Sequence, residues 1–117
     1  MVVDNRAGAG GMIGTDAVAK SAPDGYTLLH ATMAATAVAP SVYAKVPYDA
    51  DRDFIYVGPF VRQPSVLLAN PRTPANNLRE LLDWIRANKG KVSYASPGVG
   101  LSGHLGMEMI LRAAGTQ

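Results

Sequence analysis

The residues whose spacing carries the most chemistry are Gly98-Val99-Gly100-Leu101-Ser102-Gly103, a G-x-G-x-x-G run between an apolar segment and a helical one. In that setting glycine lets backbone amides at a helix N-terminus approach a bound group closely, and those amides favour an anion. A nucleotide pyrophosphate is one such anion, but its acidic ribose partner, about 20 residues further on, would fall past Gln117. Two readings therefore stay open at this point: an anion-binding turn, and a tight strand-to-helix turn with no ligand. Gly8-Ala9-Gly10-Gly11-Met12-Ile13-Gly14 is a second glycine-rich turn. Ile13 stands where the third glycine would be, so close helix–strand packing is its expected role.

The remaining inventory points away from catalysis. Ser102 and His104 lie two apart at a helix start and diverge around the axis, which prevents a direct Ser–His pair. There is no H-x-x-H or H-E-x-x-H metal pair. Asp49, Asp51 and Asp53 lack the glycine and terminal Glu of a calcium loop and read as solvated turn acids. His30, inside an apolar run, reads as a core histidine, and Trp84 as a partly buried helix-flank residue. No enzyme, metal or cofactor is expected from this set.

Composition narrows the classes further. The 117 residues are 48% hydrophobic and 17% charged, which suits a folded domain rather than a disordered chain. With no Cys, a disulfide scaffold, a thiolate zinc site and a cysteine nucleophile are excluded. The formal charge of +2 is a weak excess, and Arg86, Lys89 and Lys91 are not interleaved with aromatics, so nucleic acid is not an expected partner. Gly25 to Ala44 has no Asp, Glu, Lys or Arg, yet its Thr, Ser, Pro40 and His30 favour a buried strand and helix over a membrane span. Met1 to Arg6 contains no basic n-region and apolar h-region of a signal peptide.

The elements that would position the glycine turns alternate. Extended runs are expected at Val2 to Asp4, Tyr26 to His30, Phe54 to Val61, Ser65 to Ala69 and Val92 to Ala95. Helices are expected over Met12 to Lys20, around Pro40 to Lys45, from Asn77 to a Gly90 exit, and at the C-terminus through Met107, Ile110, Leu111 and Ala114. Asn77 and Glu80 have capping-box spacing, and Leu78, Leu81, Leu82 and Ile85 form one stripe expected to be buried. Strands alternating with helices imply an α/β fold with a largely parallel sheet.

Four stretches together resemble one family. They are Val2-Val3-Asp4-Asn5-Arg6-Ala7-Gly8-Ala9-Gly10-Gly11, Ala22-Pro23-Asp24-Gly25-Tyr26-Thr27-Leu28-Leu29, Val46-Pro47-Tyr48-Asp49 with Asp53-Phe54, and Tyr94-Ala95-Ser96-Pro97 running through Gly98 to Leu105. In order and spacing they are similar to the substrate-binding receptors of tripartite tricarboxylate transporters, the Bug receptors. The resemblance implies a fragment, truncated at both ends, of a two-lobed type II periplasmic binding protein built of largely parallel sheets flanked by helices. Residues 1–63 would supply part of lobe one with the crossover strand, and 64–117 part of lobe two.

It also implies a non-enzymatic, cofactor-free periplasmic receptor that captures a small organic acid, a di- or tricarboxylate, for the membrane subunits of the transporter. The ligand would lie at two loops following strands: Thr32, Met33 and Ala34 on one side, and Ser96, Gly98, Val99, Gly100 and Ser102 on the other. Leu101 stands where family members commonly carry a hydroxyl residue, which removes one polar contact or turns that side chain to the core. Two alternatives remain: a self-associating fragment that pairs or swaps unpaired strand edges with a second copy, and a nucleotide-binding enzyme domain using Gly98 to Gly103.

Overall fold

Helices form where the sequence supplies their starts and stops: α1 (Met12–Ala19), α2 (Ala39–Val42), α3 (Leu78–Ala87) and α4 (Ser102–Ala113). The computed structural model describes residues 1–59 and 61–116. Phe60, inside the extended run expected over Phe54 to Val61, and Gln117 lie outside the described residues.

The N-terminal half gathers around Tyr48. A 3-10 turn, Ala9–Gly11, leads into α1, and Gly8, Ala9, Gly10 and Gly11 all have positive φ. Three of those four are glycine, as a left-handed stretch demands. A π-helical turn, Ala34–Val38, directly precedes α2. Pro40 sits in the first turn of α2, where its missing N–H is tolerated, and the widened turn lies just before it. Met12, Ala39 and Tyr48 form the buried cluster, flanked by Ala19, Tyr43, Val46 and Phe54. The Tyr48 ring meets Phe54 edge-on at 6.0 Å, and its hydroxyl donates to the Ala35 carbonyl at 2.7 Å. Burial pushes the Tyr48 phenol up, against the lowering effect of Thr15 and with a further rise from the Asp16 charge, so the hydroxyl remains a donor. Thr15 is only 2% exposed and donates in turn to the Gly11 carbonyl at 3.0 Å.

In the C-terminal half the cap of α3 forms with one change of partner. The Glu80 N–H donates to Asn77 Oδ1 at 3.0 Å, but Glu80 reaches back to the Asn76 N–H at 2.8 Å, one residue earlier than a capping box requires. Gly90 exits at φ +79. The Arg86 guanidinium joins the helix ends by donating to the Ala114 carbonyl at 3.0 and 3.1 Å, and the Tyr94 hydroxyl donates to Glu108 at 2.8 Å.

The Asn76 amide, followed by the Asn77 and Asn76 side chains, holds the Glu80 carboxyl below its ordinary value. Glu80 thus titrates lower folded than unfolded. Its support for α3 is whole above the ordinary carboxylate range and is lost as pH falls through the lowered value. The helical circular-dichroism signal should fray over that acid range in the native chain, and Glu80→Gln should flatten the dependence.

The expected α/β architecture does not form. Among the described residues there is no strand, so the two-lobed fold of largely parallel sheets is replaced by helices joined by extended chain. The runs at 2–4, 26–30, 54–59, 65–69 and 92–95 carry no ladder. The reason is that helix hydrogen bonds are local, whereas a strand exists only beside a partner, and a parallel one needs a crossover to reach it. Apolar alternation shows that a segment can be half of a ladder, not that the other half is within reach. Tyr26 and Leu28 are accordingly exposed, and His30 lies at the surface rather than in a core. Of the α3 stripe only Ile85 is buried; Leu81 and Leu82 are half-buried and Leu78 is exposed.

The same shortfall shows in size. The radius of gyration is 18.1 Å, against about 13 Å for a compact chain of this length. The accessible surface is 9395 Å², roughly 3,300 Å² above that of a compact protein of this mass. No helix among the described residues is long and apolar enough to cross a membrane.

Candidate functional site

The two glycine-rich turns meet on one helical segment. Val38 and Val42 lie one turn apart on one side of the 34–42 helix, and each has a methyl 3.6 Å from where a Cβ on Gly100 would stand. Toward its N-terminal end, Thr32 Oγ1 and the Ala35 methyl stand 3.5 and 3.7 Å from the equivalent point on Gly11. Tyr43, whose N–H closes α2 on the Ala39 carbonyl at 2.9 Å, touches both turns. Its hydroxyl donates to the Val99 carbonyl at 3.4 Å, 56 residues away, and lies 3.6 Å from the Cβ position of Gly10.

The turn itself is a β-turn over Gly98 to Leu101, with the Leu101 N–H donating to the Gly98 carbonyl at 3.3 Å. Gly100, its third residue, has φ +80, as a type II turn requires, and is buried. The Gly100 N–H donates to His104 Nδ1 at 3.3 Å. That amide is therefore held by an imidazole, and a carboxylate would compete with it. The other donors lie one step further on, at the amides of the first turn of α4, which have no intrahelical partner by helix geometry. Ser102, the first residue of α4, is exposed beside them. Leu101, the N-cap, offers no side-chain cap, so nothing from that position covers the helix end.

The expected site residues fall into two groups. Gly100 docks on the 34–42 helix, Val99 is exposed with its carbonyl held by Tyr43, and Gly98 at φ +156 and half-buried Ser96 lead into the turn. Thr32, Met33 and Ala34 lead into the N-terminal end of that same helix. Thr32 stays with its own segment, its carbonyl accepting from Ala35 and Thr36 and its hydroxyl from the Ala35 N–H at 3.4 Å. Met33 is exposed. The bridge between the two loops is thus Val38, Val42 and Tyr43, none of which the sequence singled out. The i, i+4 spacing of Val38 and Val42 was the one available signal.

Two concavities lie elsewhere. One of about 520 Å³ runs along the open face of α3, lined by Leu78, Arg79, Leu82, Asp83 and Arg86. A smaller one, about 70 Å³, lies between Ile85, Asn88, Met107 and Leu111. Asp49 and Asp53 accept hydrogen bonds from backbone amides of their own turn, at 2.7 Å for Asp49 N–H to Asp53 Oδ2. Among the described residues no group of three or more acidic or imidazole side chains could hold a metal ion.

The family described as "Tripartite tricarboxylate transporter family receptor" matches residues 1–117. A UPF0065 protein of Bordetella pertussis is 41% identical over 110 residues, covering 94% of this chain and 34% of that protein. Protein BugT of the same organism is 43% identical over 110 residues, covering 93% of this chain and 34% of BugT. A UPF0065 protein of Pseudomonas sp. strain P51 is 41% identical over 117 residues, covering all of this chain and 34% of that relative. The chain spans about a third of the length of these relatives. No solved structure matches it. With the match running from Met1 to Gln117, both glycine turns included, the chain belongs to the tripartite tricarboxylate transporter receptor family.

Proposed function

We propose that the chain takes part in solute capture for a tripartite tricarboxylate transporter, holding a small organic acid, a di- or tricarboxylate, in the periplasm for the membrane subunits. The observation that carries this reading is the docking of the Gly98–Leu101 turn on the helix that begins with Thr32, Met33 and Ala34, in a chain of this family. A carboxylate suits the place. The first amides of α4 and the Ser102 hydroxyl would donate to it, Ser96 and Thr32 would add hydroxyls, and Gly98 and Gly100 keep side chains away from the backbone. A helix terminus contributes about 0.3–1 kcal/mol, so useful affinity needs both loops at once. A thermal melt with and without a panel of di- and tricarboxylates tests the reading. At 100 times the dissociation constant a bound acid adds about 2.7 kcal/mol, a shift of several degrees.

A second reading, self-association without ligand, is favoured by the surface excess. Ile55, Val57, Val66 and Leu68 are 93%, 90%, 76% and 85% exposed on extended chain. Such segments pair readily with a second copy. Sedimentation velocity tests the self-association, and the melt against organic acids tests whether a ligand is absent.

A further inference from the structure

Val99 and Gly100 share one peptide group, and the two ends of that group are held by different side chains. Its carbonyl accepts from the Tyr43 hydroxyl at 3.4 Å, and its N–H donates to His104 Nδ1 at 3.3 Å. We propose that Tyr43 and His104 are positioning residues that clamp the Val99–Gly100 peptide from both sides and so fix the turn that faces the ligand.

This peptide is the one that matters in the turn. In a β-turn the central peptide separates the two common forms: type II needs positive φ at the third residue, and turning the central peptide over gives type I. Gly100 at φ +80 is in the type II state. Flipping the peptide would break both side-chain bonds at once, because the carbonyl and the N–H would exchange sides. Glycine alone would leave either form accessible, so an outside restraint is required to keep one.

Each arm of the clamp is itself anchored. Tyr43 packs against the cluster of Met12, Ala39 and Tyr48, so the ring is seated in the N-terminal core while its hydroxyl reaches the turn. Val38 and Val42 close the space beneath Gly100 at 3.6 Å. His104 is the third residue of α4 and rides on that helix. Because Nδ1 accepts, the hydrogen bond assigns the ring proton of the neutral imidazole to Nε2. The peptide is therefore held between the C-cap of α2 and the first turn of α4. The consequence for binding rests on the receptor reading; the clamp itself does not.

The test uses cross-effects that a local contact would not produce. In Y43F the Gly100 amide keeps its imidazole partner, yet its hydrogen exchange should quicken roughly two- to tenfold, the worth of one net hydrogen bond. In H104A the Val99 carbonyl keeps its phenol partner, yet its carbon-13 resonance should shift, and H104N, which retains an acceptor, should restore it in part. The Y43F/H104A double variant should exchange less than the product of the two single effects, since both act on one peptide. Unchanged Gly100 exchange in Y43F with helix content intact overturns the clamp. Should Y43F lose helix content, H104A decides the matter, and an unmoved Val99 carbonyl overturns the clamp equally. The receptor reading stands or falls separately: if no acid binds the native chain that reading fails while the exchange data still decide the clamp. If an acid binds and Gly100 exchange does not respond, the clamp fails alone.

Discussion

Gly100→Val is expected to weaken organic-acid binding by roughly tenfold to a hundredfold while leaving the helical content unchanged. Gly100 holds φ +80, and a non-glycine residue kept in such a region costs about 1–3 kcal/mol. A β-branched side chain is the least tolerant of it. Space compounds the strain. The Cβ would stand in ordinary contact with Val38 and Val42 at 3.6 Å, leaving no room for the γ-carbons beyond it. The turn must then lift from the 34–42 helix, taking the Val99 carbonyl from Tyr43 and separating the two loops. Gly100→Ala carries the strain without the collision and should fall between the native chain and the valine variant. Calorimetric titration of each variant with the tightest acid of the panel, alongside circular dichroism, checks the order. Equal affinities across the three would remove Gly100 from the site.

Sedimentation velocity over a hundredfold range of concentration is expected to show a monomer giving way to a dimer, with the mass doubling. The roughly 3,300 Å² of surface above that of a compact protein of this mass far exceeds the about 800 Å² per partner of a standard interface. Its most apolar part lies on extended chain, at Ile55 and Val57 and again at Val66 and Leu68. Backbone groups without a ladder and exposed β-branched side chains make these segments edges that a second copy can join. Lysine at such an edge opposes the pairing, so Val57→Lys with Leu68→Lys should return the chain to monomer. Both side chains are exposed, so the substitutions remove no buried contact. A monomer at every concentration in the native chain contradicts the second reading and leaves the first untouched.

The helices were legible because their causes are local. Asn77 and Glu80 mark the start of α3 and Gly90 its exit, and the chain follows them, apart from the Glu80 carboxylate accepting from the Asn76 rather than the Asn77 backbone N–H. The sheet was not, since Tyr26 to His30 or Ser65 to Ala69 becomes a strand only through a partner whose identity no local pattern contains. The glycine turn was visible in its spacing, and its family through four stretches in register. What holds the turn was invisible: Tyr43 lies 56 residues from Val99, and nothing about a tyrosine at a helix end says which carbonyl its hydroxyl will find. His104 was weighed against Ser102, its neighbour in sequence, whereas its Nδ1 bonds the Gly100 amide.

The central claim, that this chain's two loops hold an organic acid, is tested most directly by the thermal melt against di- and tricarboxylates, with adenosine cofactors as the contrasting arm. The account predicts that at least one acid raises the midpoint by several degrees in a saturable, concentration-dependent way, that adenosine cofactors do not, and that Gly100→Val removes the shift. A midpoint that no acid moves, or one raised by an adenosine cofactor instead, contradicts it.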